Sequence, residues 1–194
     1  MSKNLLLVFL LIFSLEAFSQ DSRFNVELNY PLTIDDNLLG RNYNGIVDAG
    51  LKYNFIDLGL VTLGAGINAG LYKNTKEDRI PGPIANSYIL SPKMYADFNL
   101  PSLTKLSSYL GLGYSVLLYR TQEDQFNEPN YSDRTAKDSL DGINLNMGIA
   151  FDLTNRLFIQ VQYDFIRIRL EEGIPDFKYN TNVNILKAGL GVRL

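Results

Sequence analysis

Residues 24–34 read Phe-Asn-Val-Glu-Leu-Asn-Tyr-Pro-Leu-Thr-Ile, and this stretch decides the fold class. Every second residue from Phe24 to Ile34 is apolar or aromatic, and the residues between them include Asn25, Glu27 and Asn29. Successive side chains of a β-strand point to opposite faces, so this alternation predicts a strand with one apolar and one polar face.

The same alternation recurs along the chain and predicts eight strands, at residues 24–34, 43–54, 60–72, 90–98, 109–118, 143–151, 157–165 and 185–194. The connections alternate in length: those at 54–57, 100–106 and 152–156 are short, whereas those at 35–42, 73–87, 120–139 and 171–182 are long and polar. An even strand number with short turns at one end and long loops at the other is typical of transmembrane β-barrels. The predicted fold is an all-β, eight-stranded antiparallel up-and-down transmembrane barrel with both termini in the periplasm.

The first nineteen residues have the features of a secretory signal peptide. Lys3 precedes an apolar run from Leu5 to Leu15, and Ala17 and Ser19 form a small-residue cleavage site before Gln20. The apolar run is shorter than the ~20 residues of a membrane helix. We therefore expect a signal peptide at 1–19 and a barrel at 20–194.

The composition sets limits on function. The chain has a formal net charge of −3, which does not suggest a nucleic-acid partner, and it contains neither histidine nor cysteine. Histidine is the usual base of acyl-transfer catalysis, and histidine and cysteine are the usual zinc ligands. Because both are missing, we expect no catalytic residue, no metal site, no cofactor and no enzymatic activity. The acidic stretch 120–139 lacks the spacing of a calcium loop, and we interpret it as a solvated loop.

Alternation alone does not distinguish this barrel from a soluble one such as a lipocalin, so the contents of the two faces must decide. The polar faces carry many glycines, which fit the narrow interior of an eight-stranded barrel. The apolar faces are almost free of charge over the span that a tilted strand needs to cross hydrocarbon. Aromatic residues lie near the segment ends, as in interfacial girdles: Phe24, Tyr53, Phe98 and Phe151 at one end and Tyr30, Tyr43, Tyr88, Tyr163 and Phe165 at the other.

With this strand pattern and leader, the chain resembles the small outer-membrane barrels of the OmpA and OmpX kind, within the broad porin-like outer-membrane β-barrel family. The resemblance covers residues 20–194 and implies a location in the outer membrane of a Gram-negative bacterium. It also implies passage through the barrel assembly machinery, although Leu194 stands where many such barrels end in an aromatic residue.

Inward-pointing polar faces would bring together four acidic and four basic side chains: Glu27, Asp48, Asp97, Asp164, Lys52, Lys93, Lys187 and Arg193. Equal numbers suit a closed interior, because an unpaired buried charge is costly. We predict ion pairs between Lys187 and Asp164 and between Glu27 and Arg193, with Asp48 and Lys93 as partners across the lumen. The alternative use of these charges is a path for ions or protons.

Arg167 and Arg169 lie at the end of the seventh predicted strand, above the hydrocarbon. Guanidinium groups suit phosphates, so contact with lipid A phosphates is one hypothesis, and simple solvation is the alternative. The chain as a whole is predicted to be a monomeric barrel with a structural or surface-interaction role and a largely plugged lumen, in contact with outer-membrane lipid and lipopolysaccharide. A narrow porin-like channel is the alternative function.

Overall fold

A computed structural model describes residues 23–74, 86–99, 103–122, 135–169 and 177–194 of the chain. The strands form one closed barrel in which each strand pairs with its neighbours in sequence and β8 pairs with β1. Their bounds are β1 Phe24–Ile34, β2 Tyr43–Asp57, β3 Val61–Asn74, β4 Asn86–Asn99, β5 Leu106–Gln122, β6 Thr135–Asp152, β7 Leu157–Ile168 and β8 Asn182–Arg193. All eight pairings are antiparallel, so the predicted fold class is confirmed.

Two short helices lie in connections at the long-loop end: α1 (Leu38–Asn42) before β2 and α2 (Lys178–Thr181) before β8. The side chain of Asn37 caps α1 by accepting a hydrogen bond from the Gly40 amide at 2.8 Å, as residues at this position commonly do. Within the described ranges, no helix has the length and apolar character needed to cross a membrane. The predicted signal peptide at 1–19 lies outside the described residues.

The apolar faces point outward, as predicted. Leu28 and Leu112 are each 61% exposed, whereas Glu27 on the adjacent position of β1 is 1% exposed. The same contrast holds around the barrel, where the largest buried side chains include several amides and charges. A soluble barrel would bury its apolar face, so this orientation excludes the lipocalin alternative.

Bulges in β2 explain two errors of the sequence prediction. The register shifts between Gly45 and Val47, so that Tyr43 points inward with 5% exposure and does not belong to the predicted outer girdle. A β-bulge inserts one residue and thereby reverses the faces of what precedes it. A second shift between Asn54 and Ile56 carries β2 on to Asp57, so the first turn lies at 58–60 and not at 54–57.

The hairpin of β5 and β6 is longer than predicted and extends beyond its neighbours at the long-loop end. Its ladder continues to the pair Gln122 and Thr135, whereas β6 pairs with β7 only from Gly142 onward. The six residues 135–140 therefore pair with β5 alone, since the Asp141 carbonyl accepts a hydrogen bond from the Arg169 amide just after β7. They correspond to about 20 Å along the strand. The sequence alternation predicted strands at 109–118 and 143–151 and therefore missed this extension.

Candidate functional site: the barrel lumen

The middle of the lumen contains a buried triad of Asp48, Lys187 and Asp164. The Lys187 ammonium lies 2.7 Å from Asp48 Oδ2 and 2.8 Å from Asp164 Oδ2, and all three side chains are nearly inaccessible to solvent. The predicted contact between Lys187 and Asp164 is therefore present. Two acidic groups share one buried lysine here, so removing one member of the group would leave an uncompensated buried charge.

Glu27 does not pair with Arg193, contrary to the prediction. Its Oε1 lies 2.7 Å from the Lys52 ammonium, and Arg193 Nη1 instead lies 2.7 Å from Asp152 Oδ1. In the register, Glu27 is opposite Gly191, which lies two residues farther from the short-turn end of β8 than Arg193 does. Asp152, at the end of β6, was assigned from the sequence to a turn and was therefore missed as a partner.

Asp48 and Lys93 are also not partners, contrary to the prediction. The register places Asp48 in one row with Asn29 and Gly189, two positions from Lys187. Lys93 lies instead in the row of Gly66 and Lys52, four positions nearer the short turns. Its ammonium donates a hydrogen bond to Asn146 Oδ1 at 2.9 Å.

Buried amides connect these charges into a network. Asn29 and Asn68 each donate to Asp48 Oδ1, at 3.2 and 2.7 Å, and Asn146 donates to Asp164. Two glutamines extend the network: Gln160 Nε2 donates to Asn29 Oδ1 at 2.8 Å and Gln162 Nε2 donates to Glu27 Oε2 at 3.0 Å. The sequence placed these amides on the inner face but gave no indication of their partners.

A cluster of buried apolar side chains fills the lumen at the long-loop end, and we refer to it as the loop-end cluster: Leu39, Tyr43, Tyr72, Ile89, Leu117, Ile166, Ile168, Val183 and Ile185. Tyr72 and Ile166 are each 0% exposed. Leu39 reaches the cluster from α1, so the helix covers this end. This cluster was not predicted from the sequence, although Ile166 and Ile168 continue the inward phase of Gln162 and Asp164 along β7.

The opposite end of the lumen contains a polar cavity of about 490 Å³, and we refer to it as the turn-end cavity. Two of its aromatic walls lie against glycines on neighbouring strands. A Cβ added to Gly148 would lie 2.6 Å from the Tyr109 ring, and one added to Gly191 would lie 2.1 Å from the Phe158 ring. These glycines leave space for the two rings. The sequence predicted in general that glycines fit a narrow interior, and these two positions are examples.

Asp97 is the one predicted lumen charge for which the described residues supply no ion pair or hydrogen bond. It lines the turn-end cavity together with Glu27, Lys52 and Arg193. Two of these neighbours have partners of their own, since Lys52 contacts Glu27 and Arg193 contacts Asp152. The sequence predicted four acidic and four basic side chains in the lumen. Asp152 is an additional acidic partner in the structure, so the two numbers are no longer equal.

Arg167 and Arg169 are both exposed near the end of β7, as predicted. Each also has partners within the protein: Arg167 Nη1 donates to Thr181 Oγ1 at 2.6 Å, and Arg169 Nη2 lies 3.2 Å from Asp141 Oδ2. Any phosphate bound here would therefore share these guanidinium groups with internal acceptors.

At the same end of the barrel, the Arg41 guanidinium of α1 forms an exposed pair with Asp36. The hydrogen bond from Arg41 to the Asp36 carboxylate raises the pKa of Arg41 above its ordinary value. Arg41 also lies over the Tyr179 ring of α2, 5.4 Å from its centroid. These contacts connect the two helices that lie next to the loop-end cluster.

A closed antiparallel barrel of eight strands with apolar side chains outside and charges inside defines a membrane-embedded β-barrel. The sequence matches the outer membrane protein β-barrel domain family over residues 5–193. The chain belongs to this family, and its location is the outer membrane. No curated protein matches the sequence significantly.

Solved outer-membrane barrels have the same fold. The chain is similar to Ail, the attachment invasion locus protein of Yersinia pestis, with 13% identity and a TM-score of 0.56, covering 88% of this chain and 96% of Ail. It is similar to Neisserial surface protein A, with 12% identity and a TM-score of 0.54, covering 88% and 97%. The N-terminal barrel of Pseudomonas aeruginosa OprF gives 14% identity and a TM-score of 0.52, covering 88% and 97%. At these identities the likeness establishes the fold alone.

Proposed function

We propose that this protein is a non-conducting, monomeric outer-membrane barrel that presents its long-loop end to the outside and acts through surface interaction. The observation that carries the proposal is the loop-end cluster, in which Tyr72 and Ile166 are fully buried. A lumen filled with packed apolar side chains leaves no water path for ions at that end. Short periplasmic turns are the rule for such barrels, so both termini would lie in the periplasm.

The long hairpin of β5 and β6 supports the surface-interaction part of the proposal. Residues 135–140 pair only with β5, so the hairpin extends beyond the rest of the sheet at the end where the long loops lie. Loops supported by a rigid scaffold are the usual location of binding residues. Residues 75–85 connect β3 to β4 at the same end of the barrel as this hairpin. An epitope tag inserted there should therefore be accessible to antibody on intact cells.

Planar-bilayer recording tests the sealed lumen against the alternative of a narrow channel. We expect the native barrel to give no steady single-channel steps. A double variant with Tyr72→Ala and Ile166→Ala removes two fully buried members of the cluster and should introduce leak currents. The outward variant Leu112→Ala is the matched control and should remain silent. Regular conductance steps from the native protein would refute the sealed lumen and favour the channel.

The two exposed arginines are proposed to contact phosphate groups of lipopolysaccharide. Their exposure supports this role, and the bidentate geometry of guanidinium suits phosphate. Replacing Arg167 and Arg169 with glutamine should lower the lipopolysaccharide retained by the purified barrel. Replacement of the exposed Lys73 with glutamine is the control for loss of one surface charge. Retention unchanged in the double variant would remove the proposal.

A further inference from the structure

The turn-end cavity has the size and the lining of a ligand site. Its volume of about 490 Å³ lies within the range of ~300–1,000 Å³ typical of small-molecule pockets. It is lined from both sides of the barrel, with Asn25 on β1 and Gln160 on β7 facing Asp97 on β4 and Tyr109 on β5. Small polar molecules would meet hydrogen-bonding groups on both walls.

Buried polar atoms without a partner line this cavity. Asn25, Gln160 and Tyr109 are 6%, 4% and 5% exposed, and Asn25 Oδ1, Gln160 Oε1 and the Tyr109 hydroxyl have no hydrogen-bond partner among the described residues. Buried polar atoms are normally hydrogen-bonded, so each of these calls for a donor.

The orientation of the Gln160 amide follows from the charge network. The Asp48 carboxylate can only accept, so Asn29 must donate to it through Nδ2. Asn29 Oδ1 is then the acceptor for Gln160 Nε2, at 2.8 Å. Gln160 is therefore left with its carbonyl oxygen, an obligatory acceptor, for the cavity that it lines. An occupant must donate a hydrogen bond to this oxygen.

The charges of the cavity favour a cation over an anion. Three basic side chains line it: Lys52 contacts Glu27 at 2.7 Å, Arg193 contacts Asp152 at 2.7 Å, and Arg23 also has an interaction within the protein. The Asp97 carboxylate lines the same cavity and has no ion-pair partner in the described part of the chain. This half-buried carboxylate would be stabilised by an ion pair with a ligand.

We propose that the turn-end cavity is a binding site for a small organic ammonium ion. Asp97 is the counter-ion for the ammonium group, and Gln160, Asn25 and Tyr109 accept its further hydrogen bonds. Each N–H of a primary ammonium donates and none accepts, which suits the Asp97 carboxylate, the Gln160 carbonyl oxygen and the Tyr109 hydroxyl, which can accept as well as donate. The site is independent of the sealed loop end, because it opens toward the short turns.

Titration of the isotope-labelled full-length barrel in lipid nanodiscs with butylammonium tests the proposal by NMR. We expect saturable shifts of the Asn25 and Gln160 side-chain amides, with no shift of Asn37 at the opposite end, and a dissociation constant of about 1–10 mM for so small a ligand. Butanol and butyrate are the uncharged and anionic comparisons. Each should bind at least roughly tenfold more weakly, since each lacks the charge-assisted bond to Asp97.

Asp97→Asn should weaken butylammonium binding roughly tenfold or more. Asp36→Asn removes an equal charge from the opposite end and should leave the affinity within about twofold. Heat-modifiable migration on a gel confirms that each variant is folded, and the comparison of the three probes on the native barrel does not depend on any variant. Butyrate or butanol binding as tightly as butylammonium, or no saturable shift at Asn25 and Gln160, would overturn the proposal and leave a water-filled cavity.

Discussion

Replacing Lys187 with methionine tests whether the lumen is a closed, low-dielectric interior. The lysine is 2% exposed and lies 2.7 and 2.8 Å from Asp48 and Asp164. Methionine has similar length without charge, so the substitution leaves both carboxylates buried with no lysine between them. Removing one partner of a buried pair costs about 3–5 kcal/mol. We expect Lys187→Met to lower the free energy of unfolding by at least that amount, because two anions lose the same cation.

The design separates charge from packing by restoring neutrality. Asp48→Asn and Asp164→Asn keep an acceptor oxygen for the amides that donate to these positions, Asn68 and Asn146 among them. Buried ion pairs replaced as a whole are often neutral or stabilising. Combining both substitutions with Lys187→Met should therefore recover most of the lost stability, to within about 2 kcal/mol of the native barrel.

The assay is urea unfolding of the barrel in lipid vesicles, followed by circular dichroism and by heat-modifiable migration, since the chain has no tryptophan. Lys73→Met is the control, because Lys73 is exposed near the end of β3; its effect should be under about 0.5 kcal/mol. A Lys187→Met barrel within about 1 kcal/mol of native would show that water screens the triad and that the lumen is hydrated, which would refute the closed interior.

Other predictions follow from the packing of the two barrel faces. Gly148→Ala places a methyl group against the Tyr109 ring and should lower the free energy of unfolding by about 1–3 kcal/mol in the same urea assay. Ala150→Gly is a small change at the next inward position and should lower the free energy of unfolding by less. Leu112→Arg puts a charge on the lipid-facing surface, where Leu112 is 61% exposed, and should cost about 2–4 kcal/mol near the midplane; an unchanged midpoint would place this position outside the hydrocarbon. Removing Tyr109 with Tyr109→Leu should lower butylammonium affinity without changing heat-modifiable migration.

The sequence was sufficient for the strand count and the orientation of the faces, because both depend on local alternation. From Phe24 to Thr33, nearly every residue has the accessibility that its position in the alternation predicts. Tyr43 in β2 was assigned to the wrong face, because a bulge adds one residue to the strand and leaves no periodic signal in the sequence. Local pattern therefore identifies the faces except where the backbone departs from period two.

The ion pairs could not be predicted with the same success, because they depend on register between strands that are far apart in sequence. Lys187 and Asp164 are on adjacent strands, and counting from the turn gave the correct partner. Asp48 and Lys93 are separated by β3, and a four-position difference in row decides that they do not meet. Register sums small local irregularities along several strands, so counting fails for distant pairs.

The loop-end cluster was missed in β7 because the predicted strand ended at residue 165, before Ile166, the first residue of the cluster on this strand. Along β7, Val161 and Phe165 point outward while Gln162 and Asp164 point inward, but from Ile166 onward the apolar residues are inside and Arg167 is outside. The polarity of the two faces is thus inverted within one strand. The sequence contained this inversion, but the apolar residues were assigned to no face.

The inversion has a physical reason that locates the membrane boundary. Where hydrocarbon surrounds the barrel, apolar side chains are stable on either face of a strand. Only polar side chains then specify which face points inward, and in β7 these are glutamine and aspartate. Where water surrounds the barrel, an apolar residue is specified to the inside by burial alone. Ile166 is 0% exposed and its neighbour Arg167 is exposed, so we infer that the hydrocarbon ends near Phe165 at the long-loop end of the barrel. The inward face is thus specified by charged and polar side chains where hydrocarbon surrounds the barrel. It is specified by apolar side chains where water surrounds it.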